Sequence, residues 1–210
     1  MTNEKPLAEL ARLGSATVYE AAGRQGLVNT ELRQLIPGSR ACGPARTVLC
    51  GQDDNLMVHA AMSRLQPGEV LVLTMPQPAP IALIGELLVT QAQARGAVGI
   101  LNDAAVRDSE ALVAMGLPVW TRWIRSRGAT KNIVGSLDVP VVIGGQRIRP
   151  GDLVVLDADG ATVVAAERLP EVHDAAKQRE KMESAKRAKL RVGELSYDLD
   201  GLRSIVEGRS

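Results

Sequence analysis

The 210 residues exceed the usual size of one compact domain but fall short of two generous ones, and 45% apolar against 23% charged residues lets the chain bury a real core. Its 25 Lys and Arg against 24 Asp and Glu leave a net charge of +1, so no global field recruits nucleic acid or an anionic membrane. Two histidines (His59, His173), two cysteines (Cys42, Cys50) and no Phe exclude a three-histidine zinc site, a Cys-rich finger or an iron–sulfur cluster within one chain, and leave little for stacking single-stranded bases.

The segment from Met1 to Pro6 is polar, with no apolar stretch resembling a signal peptide, and no apolar run is long enough to span a membrane. A cytoplasmic protein with reduced Cys42 and Cys50 is expected. Leu7 to Leu13 reads as a short helix closed by Gly14, and Thr17 with Glu20 forms a capping-box pattern for a second helix that Gly23 ends. Arg46 to Cys50 is strand-like. Asp53-Asp54-Asn55 offers caps for a helix to about Leu65, followed by a strand from Val70 to Thr74. Leu83 to Arg95 reads as a helix ended by Gly96, Val98 to Leu101 as a short strand, Asn102 to Val106 as a loop, and Asp108 to Met115 as a helix. From Val139 the rhythm changes to hairpins, with turn signals at Gly144-Gly145, Pro150-Gly151 and Asp159-Gly160. Asp157-Ala-Asp159-Gly160 opens like a calcium loop but lacks the closing Glu, so it reads as a hairpin turn.

Glu167 to Arg191 carries eight positive and five negative residues and a thin apolar stripe of Leu169, Val172, Ala176, Met182 and Ala185. Such a helix is either solvated or reaches another subunit. A short final helix is expected near Leu199 to Val206. The pattern predicts one mixed α/β domain over 1–166 and a helical arm over 167–210.

Chemistry concentrates in two segments. Gly85-Glu86-Leu87-Leu88 stands near a helix start, whose unpaired N–H groups and dipole welcome a carboxylate or phosphate. Arg107-Asp108 follows a strand, where ligands bind in open α/β sheets; an Arg clamps a carboxylate and an adjacent Asp holds a hard cation. The alternative reading makes Asp108 a helix cap, Glu86 a first-turn acid and Arg107 a surface charge. Asn55 and His59, at i and i+4, share a helix face, though a lone histidine also serves structurally. No P-loop or GxGxxG occurs, and of the six lysines only Lys131 is a candidate for imine chemistry, which is disfavoured.

Taken in order, Gly85-Glu-Leu-Leu88, Arg107-Asp108, Pro118-Val-Trp120, Arg127-Gly-Ala-Thr-Lys131, Pro140-Val-Val-Ile-Gly-Gly145 and Arg149-Pro-Gly-Asp-Leu-Val-Val155 resemble the family of ribonuclease-activity regulator A. More narrowly, they resemble its aldolase branch, which acts on 4-hydroxy-4-methyl-2-oxoglutarate and 4-carboxy-4-hydroxy-2-oxoadipate. The resemblance implies a layered, swivelling β/β/α-type (RraA-like) fold, trimers or hexamers, and a class II pyruvate aldolase using Mg²⁺ or Mn²⁺, with oxaloacetate decarboxylation as a side activity. It implies that Arg107 and the amides of Leu87 and Leu88 bind the pyruvyl carboxylate, that Asp108 binds the metal, and that Glu86 holds metal-bound waters together with Glu183 from a neighbouring subunit. Asn55 and His59 match a pocket-side Asn and His. Glu86 stands where the family usually has Asp, and Ala111 where it often has an acid. Arg122 and Arg125 are candidate cations for the substrate's further carboxylates. Two other readings stay open: a non-catalytic regulator that binds a ribonuclease, and an enzyme whose main substrate is oxaloacetate or another 2-keto acid.

Overall fold

The computed structural model describes residues 4–208. Helices α1 (Glu4–Leu13) and α2 (Ser15–Ala21) lead into β1 (Arg33–Gln34) and β2 (Ala41–Leu49). Then α3 (Leu56–Ala61), β3 (Val70–Thr74), β4 (Ala82–Ile84), α4 (Glu86–Ala94), β5 (Gly99–Val106), α5 (Ser109–Met115) and β6 (Val119–Ile124) alternate. Short strands β7 (Ser136–Leu137), β8 (Val141–Ile143) and β9 (Gln146–Ile148) precede the hairpin β10 (Leu153–Asp157) and β11 (Gly160–Val164). The chain closes with α6 (Leu169–Arg191), α7 (Ser196–Leu199) and α8 (Leu202–Glu207).

Strand order in the main sheet is β1-β6-β5-β3-β2-β10-β11, with β4 added to β5 and β7 to β2. The β2–β3, β3–β5 and β5–β6 pairs are parallel, whereas β10 runs antiparallel to both β2 and β11. Side-chain alternation then builds the layers. Leu71 and Leu73 of β3, with Ile100 and Val119, pack under α3, α4 and α5. Val70 and Val72, with Leu101 and Trp120, face Val154 and Leu156 of β10. Leu153 and Val155 point the other way, into a third cluster with Leu10, Val18, Leu169 and Val172 of α1, α2 and α6. The one sheet thus folds back so that its β3, β5 and β6 part faces β10 and β11, with α3, α4 and α5 on one outer side and α1, α2 and α6 on the other. Trp120 lies between these two parts of the sheet, and its buried indole N–H donates to the Asp157 carbonyl at 2.7 Å, the partner that a buried Trp requires.

Several boundaries differ from the sequence reading. The second helix starts at Ser15, not at the Thr17 capping box, because Asp157 accepts the Ser15 N–H at 2.7 Å and its hydroxyl at 2.6 Å. A remote carboxylate thus takes the capping role. Leu83 belongs to a strand, since β4 pairs in parallel with β5. Asn102 to Val106 is strand rather than loop, and its irregular register is held by Asn102 Nδ2, which donates to the Ala105 carbonyl at 2.9 Å and to Thr121 Oγ1 at 3.0 Å. The expected final helix is split at Asp200-Gly201, where Gly201 has a positive φ. The Gly144-Gly145 hairpin forms as read, both glycines adopting positive φ between β8 and β9. Cys42 and Cys50 are free and buried, and burial pushes each thiol up to about 12.

The charged tail helix divides along its length. Leu169, Val172 and Ala176 are buried, and Arg12 of α1 grips Glu180 through two bonds of 2.6 and 2.7 Å. Beyond them Met182 is 66% exposed and Val192 80% exposed. Among the described residues no helix is long and apolar enough to cross a membrane.

Candidate active site

The parallel strands β4 and β5 end side by side, Ile84 opposite Val106, so the residues that follow each strand emerge together. Gly85, the N-cap of α4, therefore lies against Arg107 and Asp108 at the entry to α5. Asp108 takes a left-handed conformation (φ 56) and makes no capping bond with its own helix. Its Oδ2 instead accepts the Glu86 N–H at 3.2 Å and stands 3.4 Å from Arg107 Nε. The cap reading of Asp108 fails on this geometry, because the carboxylate serves the start of α4 and not that of α5. Arg107 and Asp108 are both half-exposed.

A cavity of about 110 Å³ opens beside this junction, lined by Gly85, Leu87, Leu88 and Arg107 together with Asn55, His59 and Lys131. Leu88 is buried and Leu87 is 75% exposed, and both line the cavity at the first turn of α4. Asn55 Nδ2 donates to the Leu83 carbonyl at 2.8 Å, while its buried Oδ1 has no partner among the described residues. Partial burial, with the Lys131 charge second, holds the His59 imidazole below its usual range. Gly128 closes the wall beneath Arg107; a Cβ there would lie 3.1 Å from the guanidinium.

Asp54 organises the segments that carry Asn55, His59 and Lys131. It is fully buried, and it accepts the Thr130 hydroxyl at 2.6 Å and the backbone N–H groups of Asn132 at 2.6 Å, Leu56 at 2.8 Å and Ile133 at 3.1 Å. Burial pushes its carboxyl up, but these bonds outweigh that and bring it down to about 2. No feature of the Asp53-Asp54-Asn55 string distinguished this role from ordinary helix capping.

Other expected residues lie elsewhere. Glu183 does not line this cavity in its own chain; it pairs with Arg179 at 2.8 Å on the exposed part of α6. Arg122 stacks over the Trp123 ring at 4.4 Å and pairs at 3.4 Å with Asp103, a carboxyl that burial raises and Arg122 opposes. Arg122 lines a separate hollow near Glu31, and Arg125 bonds the Ile124 carbonyl at 2.8 Å. Neither supplies a cation to the cavity. Lys131 does, and the sequence reading had weighed it only for imine chemistry. Among the described residues no three His, Cys, Asp or Glu converge on a metal position. Asp108 offers one hard carboxylate, half-exposed to water, which fits Mg²⁺ or Mn²⁺ because Mg²⁺ commonly binds through one or two carboxylates and keeps several waters.

The family model described as Aldolase/RraA (RraA-like) matches residues 15–163, most of the chain and all of the site just described except Glu183. The chain belongs to the RraA-like family. A relative from Halalkalibacterium halodurans, named "Putative 4-hydroxy-4-methyl-2-oxoglutarate aldolase", is 34% identical over 163 residues, covering 77% of this chain and 78% of the relative. Streptomyces coelicolor RraAS2, an unusual member of the RNase ES inhibitor RraA protein family, superposes with a TM-score of 0.78 at 31% identity, over 88% of this chain and 96% of that one. An uncharacterized protein from Pseudomonas syringae pv. tomato gives a TM-score of 0.80 at 26% identity, over 91% and 94% of the two chains. The RraA-like fold thus carries relatives named as an aldolase and as members of an inhibitor family.

Proposed function

We propose that this RraA-like protein is a divalent-metal-dependent lyase that cleaves 4-hydroxy-2-oxo acids such as 4-hydroxy-4-methyl-2-oxoglutarate or 4-carboxy-4-hydroxy-2-oxoadipate to pyruvate and a second 2-oxo acid. The observation that carries the proposal is the junction of Arg107, Asp108 and the first turn of α4 at one cavity. Arg107 and the Leu87 and Leu88 amides hold the 2-oxo carboxylate end, since a guanidinium and a helix start both favour an anion. Asp108 holds the cation. When bound, Mg²⁺ or Mn²⁺ supplies Lewis-acid polarisation of the 2-oxo group. Cleavage removes the C4 hydroxyl proton, breaks the C3–C4 bond and leaves its electron pair as the pyruvate enolate, which then takes a proton at C3. Glu86, with Glu183 of a neighbouring copy, is assigned to hold the waters that exchange these protons. Oxaloacetate decarboxylation proceeds through the same enolate and accompanies the main activity.

The reading includes a homo-oligomer, trimer or hexamer, in which the exposed end of α6 reaches the next subunit; sedimentation at several concentrations tests it. The decisive assay is pyruvate release from 4-hydroxy-4-methyl-2-oxoglutarate with Mg²⁺ and with EDTA. Turnover that survives chelation rules out the metal role, and no turnover on any 4-hydroxy-2-oxo acid rules out the lyase. The latter result favours a non-catalytic regulator of a ribonuclease, the reading that the name of the Streptomyces relative supports. A kcat/KM higher for oxaloacetate than for the 4-hydroxy acids makes decarboxylation the main reaction.

A further inference from the structure

The net charge of +1 hides an uneven distribution, for the segment from Lys177 to Arg191 carries seven positive residues and two negative ones. Both of those acids are engaged within the molecule, Glu180 by Arg12 through two bonds and Glu183 by Arg179. Lys186 pairs with Asp200. Lys177 and Arg187 act on Glu9 and Glu180 only through space, and Lys181 and Arg191 make no ion pair among the described residues.

Helix geometry gathers four of these cations on one side. Steps of four, three, four and three residues carry Lys177, Lys181, Ser184, Ala188 and Arg191 along one straight ridge of α6, and Arg187 flanks it one turn before Arg191. At 1.5 Å per residue the ridge runs about 21 Å. The residues between the cations, Ser184 and Ala188, are short, and all six side chains are exposed. Met182 and Leu190 fall on the opposite side of the helix. Toward α1 the ridge borders a hollow that Arg12, Lys177, Lys181 and Ser184 line with the two engaged acids, Glu9 and Glu180.

We propose that this ridge docks the phosphate backbone of a nucleic-acid duplex, whatever its sequence. A duplex presents one negative charge per ~1.7 Å of its axis, and a straight row of cations on a long helix complements such a rod. The segment from Lys177 to Arg191 contains no aromatic residue on which an unpaired base could stack, so it offers a single strand nothing beyond charge. No large apolar side chain stands on the ridge either, which removes the insertion that holds an amphipathic helix in a lipid surface. Contacts to phosphates position a protein on a duplex without reading bases. The whole-chain charge, which argues against a global field, leaves this local one intact. The inference is independent of the lyase reading, whose residues lie on other elements or, for Glu183, off the ridge.

The test is fluorescence anisotropy of a labelled DNA duplex of about 24 base pairs with the full chain, between about 50 and 200 mM salt. Four phosphate contacts predict a slope of log K against log salt of about −3.6. Lys181→Gln combined with Arg191→Gln should weaken binding at least tenfold at the lowest salt and halve that slope, with unchanged thermal melts. Lys189→Gln, which removes a cation from another side of α6, should stay within about twofold of wild type. Absence of binding at the lowest salt overturns the proposal. An equal loss in Lys189→Gln also overturns it, since attraction would then be diffuse, as does tighter binding of a single strand of the same length. Vesicles of phosphatidylcholine and phosphatidylglycerol bound in place of the duplex would make the surface a lipid contact. An assembly that the double variant dissociates in sedimentation, without duplex binding by wild type, would make the ridge a contact between copies.

Discussion

Gly85 and Asp108 pack so closely that a Cβ at residue 85 would lie 2.4 Å from Asp108 Oδ2, and 2.9 Å from Arg107 Cγ. The glycine is not there for a left-handed turn, since its φ of −152 is extended backbone. It is there for room. Gly85→Ala should therefore push the Asp108 carboxylate and the Arg107 stem off the α4 start. Both side chains are half-exposed and can move, so the expected outcome is a kcat/KM loss of about a hundredfold or more with Tm changed by only a few degrees. A variant of normal activity would show that this contact does not set the site's geometry.

Among the described residues Arg107 pairs only with Asp108, and it is half-exposed, so its removal should cost little stability. Its assigned work is on the substrate. Arg107→Ala should lower kcat/KM by about 10²–10³, the usual cost of deleting one positioned charged donor. Arg107→Lys should recover only part, because an ammonium cannot reproduce the planar fork. Steady-state kinetics on 4-hydroxy-4-methyl-2-oxoglutarate, beside thermal melts, check both statements.

How far the sequence could be read depends on where each residue's partners lie. Val70–Thr74 was legible because four consecutive apolar residues, two of them β-branched, after the Pro67-Gly68 turn fit a strand covered on both faces. That the α4 start and Arg107-Asp108 meet was legible because one stands at a helix start and the other just past a strand end. Asn102 to Val106 was not, since Asn, Asp and Ala are poor strand formers and only neighbours on β3, β4 and β6 make them one. Asp157 and Asp54 look like turn and cap residues in the string. Their true partners, Ser15 and Thr130, stand far along the chain. Lys131 was passed over for a similar reason, since an isolated lysine in a loop reads the same whether it faces solvent or a cavity.

Asp54 ties stability to pH. Its folded pKa, about 2, lies below the ordinary 3.8, so its stabilisation is present above about pH 4 and is lost as pH falls toward 2. Asp54→Asn keeps the shape but turns a four-bond acceptor into a group with its own N–H donors, leaving buried N–H groups short of partners. A loss of about 2–3 kcal/mol is expected at pH 7, by analogy with other buried bonds to charged groups. Urea melts of wild type and variant should differ most at neutral pH and converge on acidification. A gap that stays constant down to pH 2 would mean that the carboxylate charge is not the source.

His59 reports on Lys131 directly. Its imidazole is held below the usual range first by partial burial and then by the Lys131 charge, so each effect favours the neutral ring. Removing the charge in Lys131→Met takes away the second cause and keeps the first, so the pKa should rise toward 6.5 without reaching it. The chain has only His59 and His173, so one further variant, His173→Gln, assigns the two imidazole signals in an NMR titration. Added salt should shift the wild-type midpoint upward and leave Lys131→Met nearly unmoved, because screening acts on the Lys131 charge and not on burial. If Lys131→Met left the His59 midpoint unchanged, the Lys131 ammonium would stand too far from His59 to act on it, and burial alone would hold the imidazole down.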